Sequence, residues 1–94
     1  MTIQNIIDNS KLIGTYITKP DNNNVTAHYL FKSGEHNIKM SLCVEYDAKN
    51  ETINILNTNY DIAPDVDGFS DAMCQLGGKL MAKVDIDAVF EVFE

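Results

Sequence analysis

From Asn37 to Tyr46 apolar and polar residues alternate without a break, placing Ile38, Met40, Leu42, Val44 and Tyr46 on one side of an extended chain. Lys39, Ser41 and Glu45 fall on the other side. A polar turn, Asp47-Ala48-Lys49-Asn50-Glu51, follows, and the rhythm restarts at Thr52-Ile53-Asn54-Ile55-Leu56-Asn57-Thr58. Two such runs joined by a short turn rich in Asp and Asn predict an antiparallel hairpin with one wet face. Val25 to Lys32 repeats the pattern, with Val25, Ala27, Tyr29 and Phe31 on one face. Leu12 to Thr18 is rich in β-branched and aromatic residues, and Gly14 marks a bulge within it. Turns at 19–24 and 33–36 separate these runs. Four strands, each divided from the next by a turn, predict an antiparallel meander.

Both ends of the chain change period. Ile3, Ile6 and Ile7 form a stripe at helical spacing, Thr2 is placed to cap it, and the segment 2–10 predicts a short helix. So short a helix does not hold alone, so the stripe must dock on another element. Tyr60 to Gly68 is expected to lead out of the sheet, with an aspartate capping the helix that follows. Phe69, Ala72, Met73, Leu76 and Leu80 recur at three and four, predicting a helix over 67–82. Gly77-Gly78 interrupts that helix at about 1 kcal/mol per glycine relative to alanine, so either the helix ends there or its backbone approaches the sheet closely. A helix that presses small residues onto the sheet is the favoured expectation. In the tail, Val84, Ile86, Ala88, Phe90 and Val92 alternate like a strand, while Ile86, Val89, Phe90 and Phe93 also fit a helical stripe. Its β-branched and aromatic content favours a final strand over 84–93. The class implied is α+β in a single domain, 1–94. It comprises a short N-terminal helix, a four-stranded antiparallel meander, one longer C-terminal helix on the sheet and that last strand.

Charge sharpens this picture. The 94 residues are 45% hydrophobic and 22% charged, an ordinary globular composition, with a formal charge of -7. Residues 1–60 hold six acids against five lysines, a net of -1, whereas 61–94 hold eight acids against Lys79 and Lys83, a net of -6. All seven basic residues are lysine. The lack of arginine, together with the negative charge, argues against nucleic acid and against an anionic membrane surface as partner. A basic partner protein suits the charge better. The first residues lack the features of a signal peptide, and no stretch approaches the ~20 apolar residues of a membrane span. Cys43 and Cys74 fit no metal or redox spacing, so reduced thiols and a cytoplasmic setting are expected. The abundance of Asn, Ile and Lys suits a microbial or viral gene of low GC content.

Candidate chemistry is sparse. Asp65-Val66-Asp67-Gly68 suggests a calcium loop, but placing Gly68 at position six puts Ala63 at position one and Cys74 at position twelve, where oxygen ligands are required. Helix capping is the better reading, and no metal or cofactor is expected. His28 and Cys43 fall on the polar sides of neighbouring strands, where they would face each other, yet no orienting third group accompanies them. No catalytic residue is therefore assigned. The acids Asp65, Asp67, Asp71, Asp85, Asp87 and Glu91 remain as candidate partner-binding residues. On a strand, Asp85, Asp87 and Glu91 would project from one side as a ribbon of carboxylates, able to oppose cationic side chains or to imitate a run of phosphates.

The expectation is a small acidic, non-enzymatic binding protein that docks on a basic partner through its C-terminal region. An inhibitor or nucleic-acid mimic of the phage anti-defence or immunity type is the sharper version, an analogy from size and charge. The alternative is a structural subunit that forms a homodimer through a sheet edge.

Overall fold

A computed structural model describes residues 2–19 and 23–93. Helix α1 (Ile3–Asp8) leads into strands β1 (Lys11–Thr18), β2 (Asn24–Ser33), β3 (His36–Asp47) and β4 (Thr52–Ala63). Helix α2 (Phe69–Met81) follows, then a short helix α3 (Asp87–Phe90) and a 3-10 turn at Glu91–Phe93. The strands form one antiparallel sheet in chain order, a meander as the alternation implies. The helices cover a single face. Val25, Ala27, Tyr29 and Phe31 of β2 and Ile38, Met40, Leu42 and Val44 of β3 are buried on that face with Ile6, Ile7, Phe69, Met73, Leu80 and Val89. Period-two patterning thus selects the core side of the two central strands.

Local signals fix the ends of several elements. Thr2 Oγ1 accepts from the backbone N–H of Asn5 at 3.1 Å, capping α1. Six residues cannot stand as a helix unaided, and α1 buries Ile6 and Ile7 to do so. Lys83 closes its other end: the ammonium donates to Ile7 O at 2.9 Å, Ser10 O at 2.7 Å and Asp8 O at 3.3 Å. A cation on the last carbonyls also matches the negative end of the helix. Within β1 the register slips between Leu12 and Gly14, so the bulge lies where the glycine signals it, with Ile13 as the extra residue. Asp47 organises the β3–β4 turn, its carboxylate accepting from Lys49 N at 3.0 Å, Asn50 N at 3.3 Å and Asn50 Nδ2 at 2.7 Å.

Gly77 answers the glycine pair in α2. It is buried, and a Cβ built there would stand 2.5 Å from the Tyr60 hydroxyl oxygen and 2.8 Å from Cζ. The helix does press its backbone onto the sheet at this point. Gly78 has nothing within 4 Å of its Cβ position and meets no such demand.

Three expectations are corrected. The chain does not leave the sheet at Tyr60, because β4 runs on to Ala63. Cys43 pairs with Asn57 and Val44 with Ile55, so Leu56 is an extra residue in β4. That bulge sets Thr58, Tyr60 and Ile62 opposite Leu42, Met40 and Ile38, on the core side. No aspartate caps α2. Its first residue is preceded by Gly68 at φ 78°, without a side-chain cap, and Asp71 in the first turn supplies the negative charge at that end. Finally, the tail is not a strand. Residues 87–93 are helical, and the stripe of Val89, Phe90 and Phe93 packs against the core. Phe93 stacks on Tyr46 with ring centroids 5.7 Å apart, and Val89 is buried. Helical spacing lets these side chains reach the core together, which an isolated strand with alternating faces could not do.

Candidate functional site

The candidate carboxylates fall into two groups. Asp65, Asp67 and Asp71 surround the start of α2, where together with Ile62, Val66 and Phe69 they line a shallow depression of about 340 Å³. Asp85, Asp87 and Glu91 belong to the tail beyond the other end of α2, whose 13 residues span about 20 Å at 1.5 Å per residue. The continuous ribbon expected of a terminal strand therefore does not form, and the two-residue spacing that would imitate phosphates is absent. Asp85 has local work instead. Its Oδ1 accepts from the backbone N–H of Asp87 at 3.1 Å, starting the turn into α3. Burial, and secondarily the charge of Asp85, hold the Tyr29 phenol above its ordinary pKa of 10.0. The Tyr29 hydroxyl is buried without a hydrogen-bond partner among the described residues.

All six acids are exposed, and no ion pair among the described residues involves them. The two lysines of the C-terminal third are engaged elsewhere. Lys79 Nζ lies 3.2 Å from Asp8 Oδ1, and Lys83 is spent on the carbonyls that end α1. The helical side of the molecule therefore presents carboxylates that its own cations do not neutralise. Such a surface keeps a strong local potential at low ionic strength and loses it with salt.

His28 and Cys43 share the outer face of the sheet but do not form a pair. Register sets His28 opposite Ser41 and Thr26 opposite Cys43. His28 Nδ1 is 3.2 Å from Ser41 Oγ, and Cys43 Sγ is 3.7 Å from Thr26 Oγ1. The imidazole also stacks on Tyr16, with centroids 4.4 Å apart and planes 12° from parallel. Partial burial, and secondarily the charge of Lys39, lower the His28 pKa from 6.5, which favours the neutral ring. Ser41 and Tyr16, not Cys43, are thus the neighbours of His28. Among the described residues no three His, Cys, Asp or Glu side chains gather as a metal site. No helix among the described residues is long and apolar enough to cross a membrane.

Two surface features escape a reading of single strands. Strand β1 is an edge, and Leu12, Ile13, Tyr16 and Ile17 are 39%, 60%, 46% and 38% exposed on it. Lys11 and Lys32 meet directly across the β1–β2 pair. Both follow from which strands neighbour which, a property that alternation within one strand does not carry. No protein-family model matches the chain, and neither a curated protein nor a solved structure matches it.

Proposed function

We propose that this chain is a small binding protein, not a catalyst, that docks on a basic partner protein through the carboxylates at the start of α2. The observation that carries this reading is the grouping of Asp65, Asp67 and Asp71 around one depression with no lysine of the chain paired to them among the described residues. Unneutralised charge of one sign accelerates encounter and sets orientation, while Val66 and Phe69 at the same depression offer limited apolar contact. Asp87 and Glu91 extend the field, and Asp85 serves the tail's own fold. Inhibition of the partner through this contact fits the size of the domain. Imitation of a phosphate run is no longer part of the reading.

The test is comparative capture from lysates of the source cells, using wild type and two amide variants, D65N/D67N/D71N and D85N/D87N/E91Q, as baits. A basic protein retained by wild type, lost with the first variant and released by salt is the expected result. An identical set of captured proteins for all three baits overturns the reading.

A second reading has its own observation. The exposed apolar residues on both faces of edge strand β1 suit pairing with the same strand of a second copy, which would join two sheets about a two-fold axis. Sedimentation equilibrium decides it: a salt-insensitive dimer that Ile17→Lys converts to monomer supports this reading, and a monomer at all concentrations removes it.

A further inference from the structure

On the sheet face turned away from the helices, one corner carries charge of the opposite sign to the molecule, while Glu45 lies toward the other end of the same face. Across the strands, Tyr16, His28, Ser41 and Asn59 occupy one row, and Gly14, Leu30, Lys39 and Asp61 occupy the next. In the row beyond, Lys11 stands opposite Lys32, with Asn37 as the β3 neighbour. Like charges directly opposed across a strand pair are destabilising. No ion pair among the described residues reaches Lys11, Lys32 or Lys39. Three unpaired lysines in one corner are notable in a chain of net charge -7.

The same corner is apolar between its charges. Ile13 and Leu30, with Lys39, Asp61 and Ala63, border an open hollow of about 540 Å³. Ile13 is 60% exposed, and the Tyr16 ring, 46% exposed on its His28 stack, continues the strip into the next row. A small ligand would ordinarily be enclosed over some 70–90% of its surface, and a hollow on a sheet face does not enclose one. A helix laid along the strip fits better. Three rows two residues apart span about 14 Å, close to three turns of helix.

We propose that this face receives an acidic amphipathic helix of a partner protein. Its apolar stripe would lie on Ile13, Leu30 and Tyr16, and its carboxylates would face Lys11, Lys32 and Lys39. Asp61, opposite Lys39 on β4, repels carboxylates from that side. The acidic flank of the bound helix therefore centres on Lys11 and Lys32 of β1 and β2, with Lys39 of β3 at its margin. This surface is independent of the acidic one at α2, being of opposite sign and on the opposite face.

The proposal is tested by amide chemical-shift titration of the full chain with two synthetic helical peptides. Both carry the same Leu/Ile stripe, one flanked by Glu and the other by Lys; dodecanoate serves as a small-molecule probe. The Glu-flanked peptide should shift residues 11–16, 28–32 and 37–41, and K32E/K39E should weaken it by about tenfold or more, as expected of lost charge complementarity. Lys32→Glu also relieves the repulsion from Lys11, so the variant stays folded, and its spectrum shows this directly. Equal binding of the Lys-flanked peptide at this face, or unchanged affinity in K32E/K39E, overturns the proposal. Binding of dodecanoate there without the peptide also overturns it, in favour of a small anionic amphiphile. Failure on any of these grounds leaves the capture experiment at the α2 carboxylates unaffected.

Discussion

Adjacent glycines in α2 should respond to alanine with opposite signs. In an open helical position alanine is more stable than glycine by about 1 kcal/mol. Gly78, exposed and with nothing within 4 Å of its Cβ position, should show that gain unmodified. At Gly77 the same methyl would sit 2.5 Å from the Tyr60 hydroxyl oxygen, 2.8 Å from Cζ and 3.2 Å from Cε2. Ordinary carbon contacts lie at about 3.5–4.0 Å, so the helix or the ring must yield by about 1 Å. Overpacking of this kind costs about 1–3 kcal/mol. The propensity gain is common to both sites and cancels in their difference. Gly77→Ala should therefore be less stable than Gly78→Ala by about 1–3 kcal/mol. Urea unfolding measures this, provided the two variants share one m-value. On heating, each kcal/mol corresponds to about 4–8 °C in Tm for a domain of this size. Combining Gly77→Ala with Tyr60→Leu removes the obstructing ring, and in that background alanine should no longer be penalised. A Gly77→Ala variant as stable as Gly78→Ala would refute the close packing of α2 on β4.

Lys83→Met should cost about 1.5–3 kcal/mol by urea unfolding, since it removes charged hydrogen bonds to the carbonyls of Ile7 and Ser10. Lys79→Ala breaks only the exposed pair with Asp8 and should cost less than about 1 kcal/mol; equal losses for the two would contradict the capping role of Lys83. His28 should titrate below 6.5 by NMR, and Lys39→Gln should raise its pKa part of the way back. Because the unfolded chain takes up that proton first, His28 should lower stability as pH falls below about 6.5, until its folded pKa is passed. Tyr29→Phe deletes a buried hydroxyl without a partner among the described residues and should leave stability unchanged or raise it by up to about 1 kcal/mol. Spectrophotometric titration should lose one late-ionising phenol in that variant. Tyr29 and Tyr60, both held above 10.0, make the wild type lose stability as pH rises through that value, since the unfolded chain ionises first.

What the sequence discloses depends on how local the physics is. The meander, the Gly14 bulge and the Thr2 cap each follow from a residue and its near neighbours, and the glycine pair of α2 signals a close approach without telling Gly77 from Gly78. The β4 extension was hidden because Asn57, Asn59 and Asp61 face outward and give Asn57 to Asp61 a loop-like polarity. Its core-facing Thr58, Tyr60 and Ile62 fall into step only once Leu56 is recognised as a bulge. The tail satisfied two periods at once, and packing against the core, with Phe93 on Tyr46, is the tertiary fact that separates them. Of the candidate site, the excess of acid was plain from composition. Its division into two groups was not, because that depends on α2 lying between them. The lysine corner on the outer face required knowing that Lys11 and Lys32 are partners, 21 positions apart in the chain.

The central claim is that unneutralised carboxylates at the start of α2 form a docking site for cationic protein. Amide chemical-shift titration with a short oligolysine peptide probes it with no need for the natural partner. The account predicts shifts centred on residues 65–72, abolished in D65N/D67N/D71N and suppressed by salt. Shifts spread evenly over the acids of the chain, or centred on Asp47 and Glu51 at the far hairpin, would contradict it.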